Sequence, residues 1–566
     1  MTNQSTRVDL WVFRDGKKTV ATSILIGELA EKLRVLENAS GDCSVLLDAL
    51  IRAGELESAL ADEGSPLVPN IAKLTDALAW GLVHGASAVR GYTDLLHPLR
   101  RSEIPGTVQA SPPEGFSYYG LHPADFIDLA RNVCRVGDPV AVIGIRSIGI
   151  TLSAVVAAAL GSHERQWDRV GVRPFGHPYD RIVDFNAEQL RWIEEKYARG
   201  SRFLIVDEGP GRSGSTFLST AEALVALGIP PEQITLLGTR QPAKGELCAK
   251  DAGARWDRFR FASTDTHGSR RFAGHTYIGG GEWRRLFIGE DSEWPACWPQ
   301  MERSKFLSPD GKCLFKFEGM GRVGEEVRAR AELLAKTGFG AEIRGAMDGY
   351  SAYRMISGRS LASSDVSREL LEHLAEYCAM RDSEFKPGSG RPDPVANMVR
   401  FNVQQEFGLE CSLTDGDLSI GHSVIADGHM QPHEWLLQRD GSIVKVDAVS
   451  HGDDHFFPGP ISIAWDLAGV IVEWGLGRDW TEFFLTRFRH FSGRQLEDSM
   501  NLFCLAYSVF RMSFCKMALP TVDGIEQERM LRDYFRYRRT AEAFLQNGQP
   551  VGALASSRIS DQERAA

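Results

Sequence analysis

The stretch FLIVDEGPGRSGST, residues 203–216, decides the fold class of the first half of the chain. Its apolar start predicts a buried strand that ends at the carboxylates Asp207 and Glu208. A glycine turn and a helix start follow, formed by Gly209, Gly211, Arg212, Ser213, Gly214, Ser215 and Thr216. Backbone N–H groups in such a turn, together with the positive end of the helix dipole, bind anions. The stretch therefore predicts a phosphate site.

Three phosphate-binding patterns compete for this stretch. A P-loop requires Lys directly after Gly214, where the chain has Ser215, so a nucleoside triphosphatase is disfavoured. A dinucleotide site would place the two carboxylates against a pyrophosphate, which repels them. In the third pattern the carboxylates accept hydrogen bonds from vicinal ribose hydroxyls while the turn binds the 5′-phosphate of the same sugar. We favour this pattern because it uses every polar residue of the stretch.

Strands and helices alternate around the glycine turn. Buried strands are predicted over residues 139–145, 202–206 and 234–238, which is typical of a parallel sheet covered by helices. The first strand leads into VIGIRSIGITLSA, residues 142–154, where a second glycine-containing turn precedes a helix. Between the two turns lies VRPFGHPYDR, residues 172–181.

This combination resembles the 5-phosphoribosyl-1-pyrophosphate (PRPP) motif of type I phosphoribosyltransferases over residues 115–245. The resemblance implies that Asp207 and Glu208 bind the ribose diol, that Gly211 through Thr216 bind the 5′-phosphate with Gly209 in the same PRPP site, and that Mg²⁺ accompanies PRPP. The upstream turn would bind pyrophosphate through Gly144, Arg146, Ser147 and Gly149. The family has a mobile loop between the turns, where the candidate contacts are Arg173, His177 and Arg181.

A second ordered set of motifs lies in the C-terminal half. Lys316 lies in the strand CLFKF and Glu326 on a following amphipathic helix. DGHMQPHEWLL (427–437), SIVKVDAVSHG (442–452) and ISIAWDLAG (461–469) come later. This succession resembles aminoglycoside-phosphotransferase-like kinases over residues 305–490, which implies a two-lobed α+β domain. There Lys316 and Glu326 would hold ATP phosphates, Asp447 would bind Mg²⁺, and Asp466 would steady the catalytic loop.

The C-terminal half departs from that kinase pattern at two positions. His429 stands at the position of the catalytic Asp, and Glu434 at that of the metal-binding Asn. Histidine is a base near neutral pH, and Glu434 could join Asp447 as a metal ligand. A glycine-rich cover loop is also poorly represented before Lys316. Lost or altered transfer chemistry is the simpler interpretation.

Composition restricts the class of protein. The 566 residues carry a net charge of −11, which disfavours nucleic-acid binding by bulk charge. Nine cysteines without a CxxC pair favour reduced thiols, and neither a secretory signal nor an unbroken apolar span is evident, so we expect a cytoplasmic protein without membrane contact. The predicted division is a helical region over residues 1–115, a phosphoribosyltransferase-like domain over 116–295, a kinase-like domain over 300–545 and a polar tail over 546–566. The helical region could cover the acceptor substrate of the phosphoribosyltransferase-like domain.

The sequence thus predicts an α/β protein with a phosphoribosyltransferase-like parallel sheet and a kinase-like domain. The expected reaction converts PRPP and a nucleobase-like acceptor into an N-ribosyl 5′-monophosphate with release of pyrophosphate, using Mg²⁺, with ATP as a ligand of the kinase-like domain. Two alternatives stay open. One is a regulatory protein that senses PRPP or a nucleotide, and the other is a small-molecule kinase as the main activity. Small-molecule substrates and a homodimer are the expected partners.

Overall fold

The computed structural model describes residues 12, 18–38, 43–89, 91–101, 104–161, 168–177, 179–211, 213–243, 245–264, 271–387, 395–452, 454, 457 and 459–547. The strands are β1 Lys18–Ala21, β2 Thr107–Ala110, β3 Val140–Ile145, β4 Arg169–Val172, β5 Phe175–His177, β6 Asp180–Ile182, β7 Arg202–Val206, β8 Ile234–Gly238, β9 Arg260–Ser263, β10 Thr276–Tyr277, β11 Lys305–Leu307, β12 Cys313–Phe317, β13 Ile343–Met347, β14 Tyr350–Arg354, β15 Arg359–Ser360, β16 Trp435–Leu437 and β17 Ile443–Lys445.

The α-helices are α1 Thr22–Asn38, α2 Cys43–Asp62, α3 Val68–His84, α4 Tyr92–Arg101, α5 Glu114–Ser117, α6 Asp125–Val133, α7 Ile148–Leu160, α8 Ala187–Ala198, α9 Ser215–Ala226, α10 Ala252–Trp256, α11 Arg284–Phe287, α12 Gly321–Lys336, α13 Arg368–Glu384, α14 Val395–Phe407, α15 Asp415–Leu418, α16 Ala464–Glu473, α17 Arg478–Ser492, α18 Met500–Ala518 and α19 Gly524–Asn547.

Five strands form a wholly parallel sheet in the order β4-β3-β7-β8-β9. The central strand β7 is buried on both faces, since Leu204 and Phe203 point into two different hydrophobic clusters. Gly144 of β3 pairs with Val206 of β7, so the carboxyl ends of these two strands lie side by side. The predicted mixed α/β class and parallel sheet are confirmed.

The N-terminal helices cover one face of this sheet. All residues of α7 are buried, because its apolar side chains contact the sheet on one side and helices α2 and α3 on the other. A helix that is apolar on every side must be enclosed in this way. The C-terminal end of α2 thereby comes to lie next to the turn that precedes α7.

A second sheet is antiparallel, in the order β10-β11-β12-β14-β13, with α12 connecting β12 to β13. Its edge strand β10 lies inside residues 116–295, which the sequence assigned to the phosphoribosyltransferase-like domain. The segment 278–304 between β10 and β11, called here the Trp-rich segment, contains Trp283, Trp294 and Trp298. Domain boundaries along the chain stay predictions.

The C-terminal part is mainly helical and contains the small antiparallel sheet β15-β16-β17. Strands β16 and β17 pair as an antiparallel hairpin. One segment of the described chain, Glu497–Thr521, is long and apolar enough to cross a membrane by length and composition. It was not noticed in the sequence, and 67% of its apolar window is buried, where α18 contacts α16 and α19.

Helix α5 joins the two sheet-containing parts. The Phe116 carbonyl accepts a hydrogen bond from the Met320 N–H at 2.8 Å, and the Ser117 carbonyl accepts one from Arg303 at 3.1 Å. Phe317 and Met320 belong to the same hydrophobic cluster as α2 and α7. The parallel sheet and the antiparallel sheet therefore share one continuous core through α5.

Candidate active sites

A cavity of about 1150 Å³ lies between the antiparallel sheet and the C-terminal helices, and we call it the cleft. Strands β11 and β12 supply Lys305 and Lys316. The segment before β16 supplies His429 and Glu434, and the segment after β17 supplies Asp447. The fold thus gathers in one cavity four of the five residues that the sequence predicted for the kinase-like site.

Asp447 forms ion pairs with two buried lysines. Its carboxylate contacts Lys316, which also donates to Ser450 Oγ at 2.9 Å, and it contacts Lys305 at 3.0 Å. Burial alone would raise the pKa of Asp447, but the two ammonium groups hold it well below its usual range. Asp447 also has a φ of 55°, a left-handed conformation that is costly for a non-glycine residue. Such strain is often retained at functional sites.

Two stacked histidines connect the carboxylates of the cleft. The rings of His429 and His451 lie 3.7 Å apart with an interplanar angle of 9°. His429 Nδ1 lies 3.3 Å from Glu434 Oε1, and His451 Nε2 lies 3.6 Å from Asp447 Oδ1. Burial, with the neighbouring His429, lowers the pKa of His451 well below its usual value. The His451 ring is therefore neutral at pH 7.

Glu434 is held by a wholly buried lysine. Lys445 Nζ donates to Glu434 Oε2 at 2.6 Å, while the other carboxylate oxygen faces His429. Burial alone would raise the pKa of Glu434, but Lys445 and His429 keep it well below its usual value. Both oxygens of Glu434 are therefore already engaged.

The two predicted metal ligands differ in how well they fit Mg²⁺. This ion is commonly held by one or two carboxylates together with substrate phosphates and water. Asp447 fits that role because it is ionised and lines the cavity. Glu434 would first have to exchange Lys445 for the ion. Within the described ranges, no group of three or more His, Cys, Asp or Glu side chains is arranged to hold a metal.

Asp466 fixes the segment 427–434. Its two carboxylate oxygens accept the backbone N–H groups of Asp427 at 2.8 Å and of Gly428 at 3.0 Å. Burial raises the pKa of Asp466 to about 6, although Arg381 nearby opposes the shift. These contacts hold the segment that carries His429 and Glu434 against α16, which is the steadying role that the sequence predicted.

Glu326 does not pair with Lys316, and the structure corrects the sequence on this point. Glu326 is exposed, and its neighbour Glu325 pairs instead with Lys32 and, at 2.7 Å, with Arg52. Lys316 has Glu318 at 3.4 Å in addition to Asp447. The acidic side of α12 therefore faces α1 and α2, because these helices supply the cations Lys32 and Arg52 that pair with Glu325.

Sequence reasoning missed two cations and the covering segment of the cleft. Lys445 had a signal, since a lysine inside the apolar strand IVKV must be paired when the strand is buried. Lys305 had no such signal in the sequence, because its contact with Asp447 depends on the pairing between β11 and β12. The Trp-rich segment, which includes the turn-forming Gly280 with a φ of 61°, lies upstream of the region where a cover loop was expected.

The two predicted turns of the parallel sheet lie in direct contact. A Cβ on Gly149 would come within 2.6 Å of the Val206 carbonyl oxygen and 3.5 Å of Asp207 Oδ1. A Cβ on Gly144 would come within 2.5 Å of the Gly149 carbonyl oxygen. Glycine is therefore required at both positions, and the predicted pyrophosphate turn adjoins the predicted ribose-binding carboxylates.

The acidic pair is half-buried and has no direct counter-charge. Burial raises the pKa of Asp207 to about 7, and burial with repulsion from Glu114 raises that of Glu208 well above its usual value. A Cβ on Gly115 would come within 2.8 Å of Glu208 Cδ, so α5 covers this carboxyl group. The described residues form no ion pair with either carboxylate.

The glycine turn has the backbone shape that an anion cradle requires. Gly211 and Gly214 have φ values of 56° and 70°, and Gly214 precedes the first residue of α9. Ser213 Oγ lies 2.9 Å from Ser215 Oγ, so the predicted hydroxyls converge. Gly209 lies beside Thr239, and Thr216 lies in the first turn of α9. Arg212 lies outside the described residues.

The predicted arginines of the upstream turn contact α2. Arg146 donates to the Ala61 carbonyl at 3.0 Å, and Arg173 donates to the Arg146 carbonyl at 2.8 Å. Both guanidinium groups also reach Asp62, which the sequence did not single out. Ser147 has a φ of 106°, a strained conformation at the predicted pyrophosphate turn.

The remaining loop candidates lie at the β5–β6 hairpin. His177 is exposed and its Nδ1 accepts the Tyr179 N–H at 3.2 Å. Arg181 donates to the Pro174 carbonyl at 3.2 Å, and together with Arg173 it lies near enough to Asp207 to oppose the rise of its pKa. Arg173 and Arg181 thus belong to the surroundings of the acidic pair, whereas His177 contacts only its own hairpin.

No family model matches the chain, and no curated protein is significantly similar to it. Among solved structures, the choline kinase LicA from Streptococcus pneumoniae covers 43% of this chain and 89% of its own, at 13% identity and a TM-score of 0.31. A choline kinase from Cryptosporidium parvum covers 48% and 97%, at 10% identity and a TM-score of 0.32. An aminoglycoside phosphotransferase from Alicyclobacillus acidocaldarius covers 43% and 88%, at 13% identity and a TM-score of 0.29. Likenesses of this strength establish no function for this chain.

Proposed function

We propose that the cleft binds a nucleoside triphosphate with Mg²⁺ and transfers its terminal phosphoryl group to a small molecule. The observation that carries the proposal is the convergence of Lys316, Asp447 and His429 in one cavity of about 1150 Å³. A lysine for phosphates, a carboxylate for the metal and a base for the acceptor are the groups that phosphoryl transfer needs.

One end of the cleft suits a nucleobase. Its walls include the apolar side chains of Leu314, Ile356, Leu436 and Val446. Ile356 lies in the segment between β14 and β15 that links the antiparallel sheet to the helical part. A slot of this kind between two layers is apolar enough to enclose a flat ring.

The centre of the cleft suits phosphate groups. Lys316 and Lys305 would exchange part of their contact with Asp447 for phosphate oxygens, and Asp447 would hold Mg²⁺. The bound ion would neutralise charge on the phosphates. His429 turns Nδ1 to Glu434, so Nε2 is the ring nitrogen available to take the proton of an acceptor hydroxyl. As the hydroxyl oxygen bonds to the terminal phosphorus, the bond from that phosphorus to the β–γ bridging oxygen would break and the nucleoside diphosphate would leave.

Nucleotide binding to the full chain tests this proposal. Isothermal titration with ATP and Mg²⁺ should give binding that falls at least tenfold in Lys316→Met and in Asp447→Asn. Lys312→Met is the matched control, because this lysine is exposed in the β11–β12 turn and does not line the cleft. Equal ATP affinity in all four proteins would remove the assignment.

The second candidate function is PRPP-dependent transfer at the parallel sheet. The specific observation in its favour is the contact between Gly149 and Asp207, which places the predicted pyrophosphate and ribose contacts together. Buried carboxylates without a counter-charge are costly, and a ribose diol would give them hydrogen-bond donors. An N-ribosyl 5′-monophosphate would be the product.

Mg²⁺-dependent PRPP binding tests the second candidate. We expect binding by the native chain that disappears in Asp207→Asn/Glu208→Gln, and pyrophosphate release when a suitable base is present. Binding without release across a panel of nucleobases would favour the regulatory alternative. Unchanged PRPP binding in the double variant would eliminate both readings of this site.

A further inference from the structure

A second part of the cleft, called here the distal end, is lined by aromatic and basic side chains. Its aromatic side includes Trp283, whose ring lies 6.0 Å from that of His433 at an interplanar angle of 19°. His433 directly precedes Glu434, so this distal end adjoins the centre of the cleft.

Helix α19 contributes a basic face to the lining of the distal end. Arg532, Arg536 and Arg539 of α19 line the cleft at a spacing of four and three residues, which places them on one side of the helix. Arg511 of α18 lines it as well. Arg532 and Arg539 are exposed to the cavity and form no ion pair with any described side chain.

The carboxylates of this region do not cancel the basic face. Glu473 is saturated, since it accepts hydrogen bonds from Tyr507 and Tyr537 at 2.7 Å and from Arg536 at 3.0 Å. Asp533 lies 3.6 Å from Arg536 of the same helix, so it is already paired with one arginine of the face. With Glu293 of the Trp-rich segment, which also lines the cleft, four arginines stand against three carboxylates and still give an excess of positive charge.

Unsatisfied polar groups also point to a ligand at this end. Among the described residues, the buried amide oxygen of Gln431 and the indole N–H of Trp283 have no hydrogen-bond partner, and both side chains line the cleft. Gln431 is only 7% exposed. Buried polar atoms are normally satisfied, so these two would be completed by a bound polar molecule.

We infer that the distal end binds an anionic acceptor of the nucleoside-monophosphate type, with its ring against Trp283 and its phosphate against Arg532 and Arg539. This inference rests on the proposed phosphoryl transfer in the same cleft. The cavity exceeds the upper range of about 1000 Å³ for single-ligand pockets, so it has room for a second molecule. An N-ribosyl 5′-monophosphate, the product class of the second candidate reaction, has this chemistry.

The test uses uridine 5′-monophosphate as the probe, titrated into the full chain with Mg²⁺ and saturating AMP-PNP, a non-hydrolysable ATP analogue that occupies the nucleobase slot. We expect the probe to bind at least tenfold more tightly than uridine, and choline not to bind. Arg532→Gln/Arg539→Gln should weaken probe binding at least tenfold. Arg489→Gln, an exposed arginine of α17 away from the cleft, is the control for charge.

The outcomes separate this inference from the proposed function. If AMP-PNP binds but the probe binds no better than uridine, the distal site is refuted and the nucleotide site stands. If the probe binds in an arginine-dependent way while AMP-PNP does not bind, the distal site stands and phosphoryl transfer falls. Probe binding that persists in the double arginine variant but is lost in Thr216→Val places the phosphate at the glycine turn and overturns the inference.

Discussion

Replacing Asp207 by Asn should stabilise the protein at alkaline pH while it removes PRPP binding. Burial raises the pKa of Asp207 from 3.8 to about 7. A raised carboxyl pKa contributes stability below the unfolded-state pKa, and this contribution is lost as the pH rises through about 7. A shift of about 3 units corresponds to roughly 4 kcal/mol at about 1.4 kcal/mol per unit, which contact of this half-buried group with solvent reduces to about 2–3 kcal/mol.

The Asn variant escapes this cost because its amide stays neutral at every pH. We therefore expect Asp207→Asn to unfold with a free energy about 2–3 kcal/mol higher than that of the native chain at pH 8, and equal to it below about pH 3. Hydrogen exchange of the β7 amides, corrected for the pH dependence of intrinsic exchange, measures this local stability in the full chain. Asp184→Asn, at an exposed position before α8, should show no pH-dependent difference.

The reasoning is refuted if Asp207→Asn is no more stable than the native chain at pH 8. That result would mean that the carboxylate is compensated by a group that the described contacts do not include. A stabilising variant that loses PRPP binding would instead show a residue kept for binding at the expense of stability, as is common at functional sites.

Three further changes test the cleft and its supports. Asp466→Ala leaves two buried backbone N–H groups without their acceptor and should cost about 2–5 kcal/mol in urea unfolding; a change below about 0.5 kcal/mol would contradict its anchoring role. His429→Ala should lower ATP turnover about 10²–10⁴-fold with unchanged ATP affinity, and a loss confined to affinity would argue against a base. Arg52→Ala removes the contacts of α2 with Glu325 and should speed hydrogen exchange in α12, while unchanged exchange would show that the network does not hold the helix.

The strands around the phosphate motifs were predictable because their signals are local. The predicted strands 202–206 and 234–238 coincide with β7 and β8, and Cys313–Phe317 is the observed β12. Apolar runs that end in glycine or in a carboxylate give both the element and its end. The expectations of a cytoplasmic location, of no nucleic-acid or membrane contact and of a homodimer stay predictions.

The partners of the charged residues were less predictable, because they come from distant parts of the chain. Lys316 was expected to pair with Glu326, ten positions away, but it pairs with Asp447 across the cleft. Arg146 was expected at a ligand, and it contacts the end of α2. Spacing along one helix or strand predicts which face a residue shares, but not which distant element covers that face.

The sequence by itself determined the strand–turn–helix units, the acidic pair and the histidine in place of an aspartate, since each depends on neighbouring residues. Only the tertiary structure decided that α5 connects the two candidate sites, that Lys305 and Lys445 neutralise the carboxylates of the cleft, and that arginines of α19 line the same cavity as Trp283. Burial and Coulomb energy depend on distances in space, and these are set by how the sheets and helices pack together.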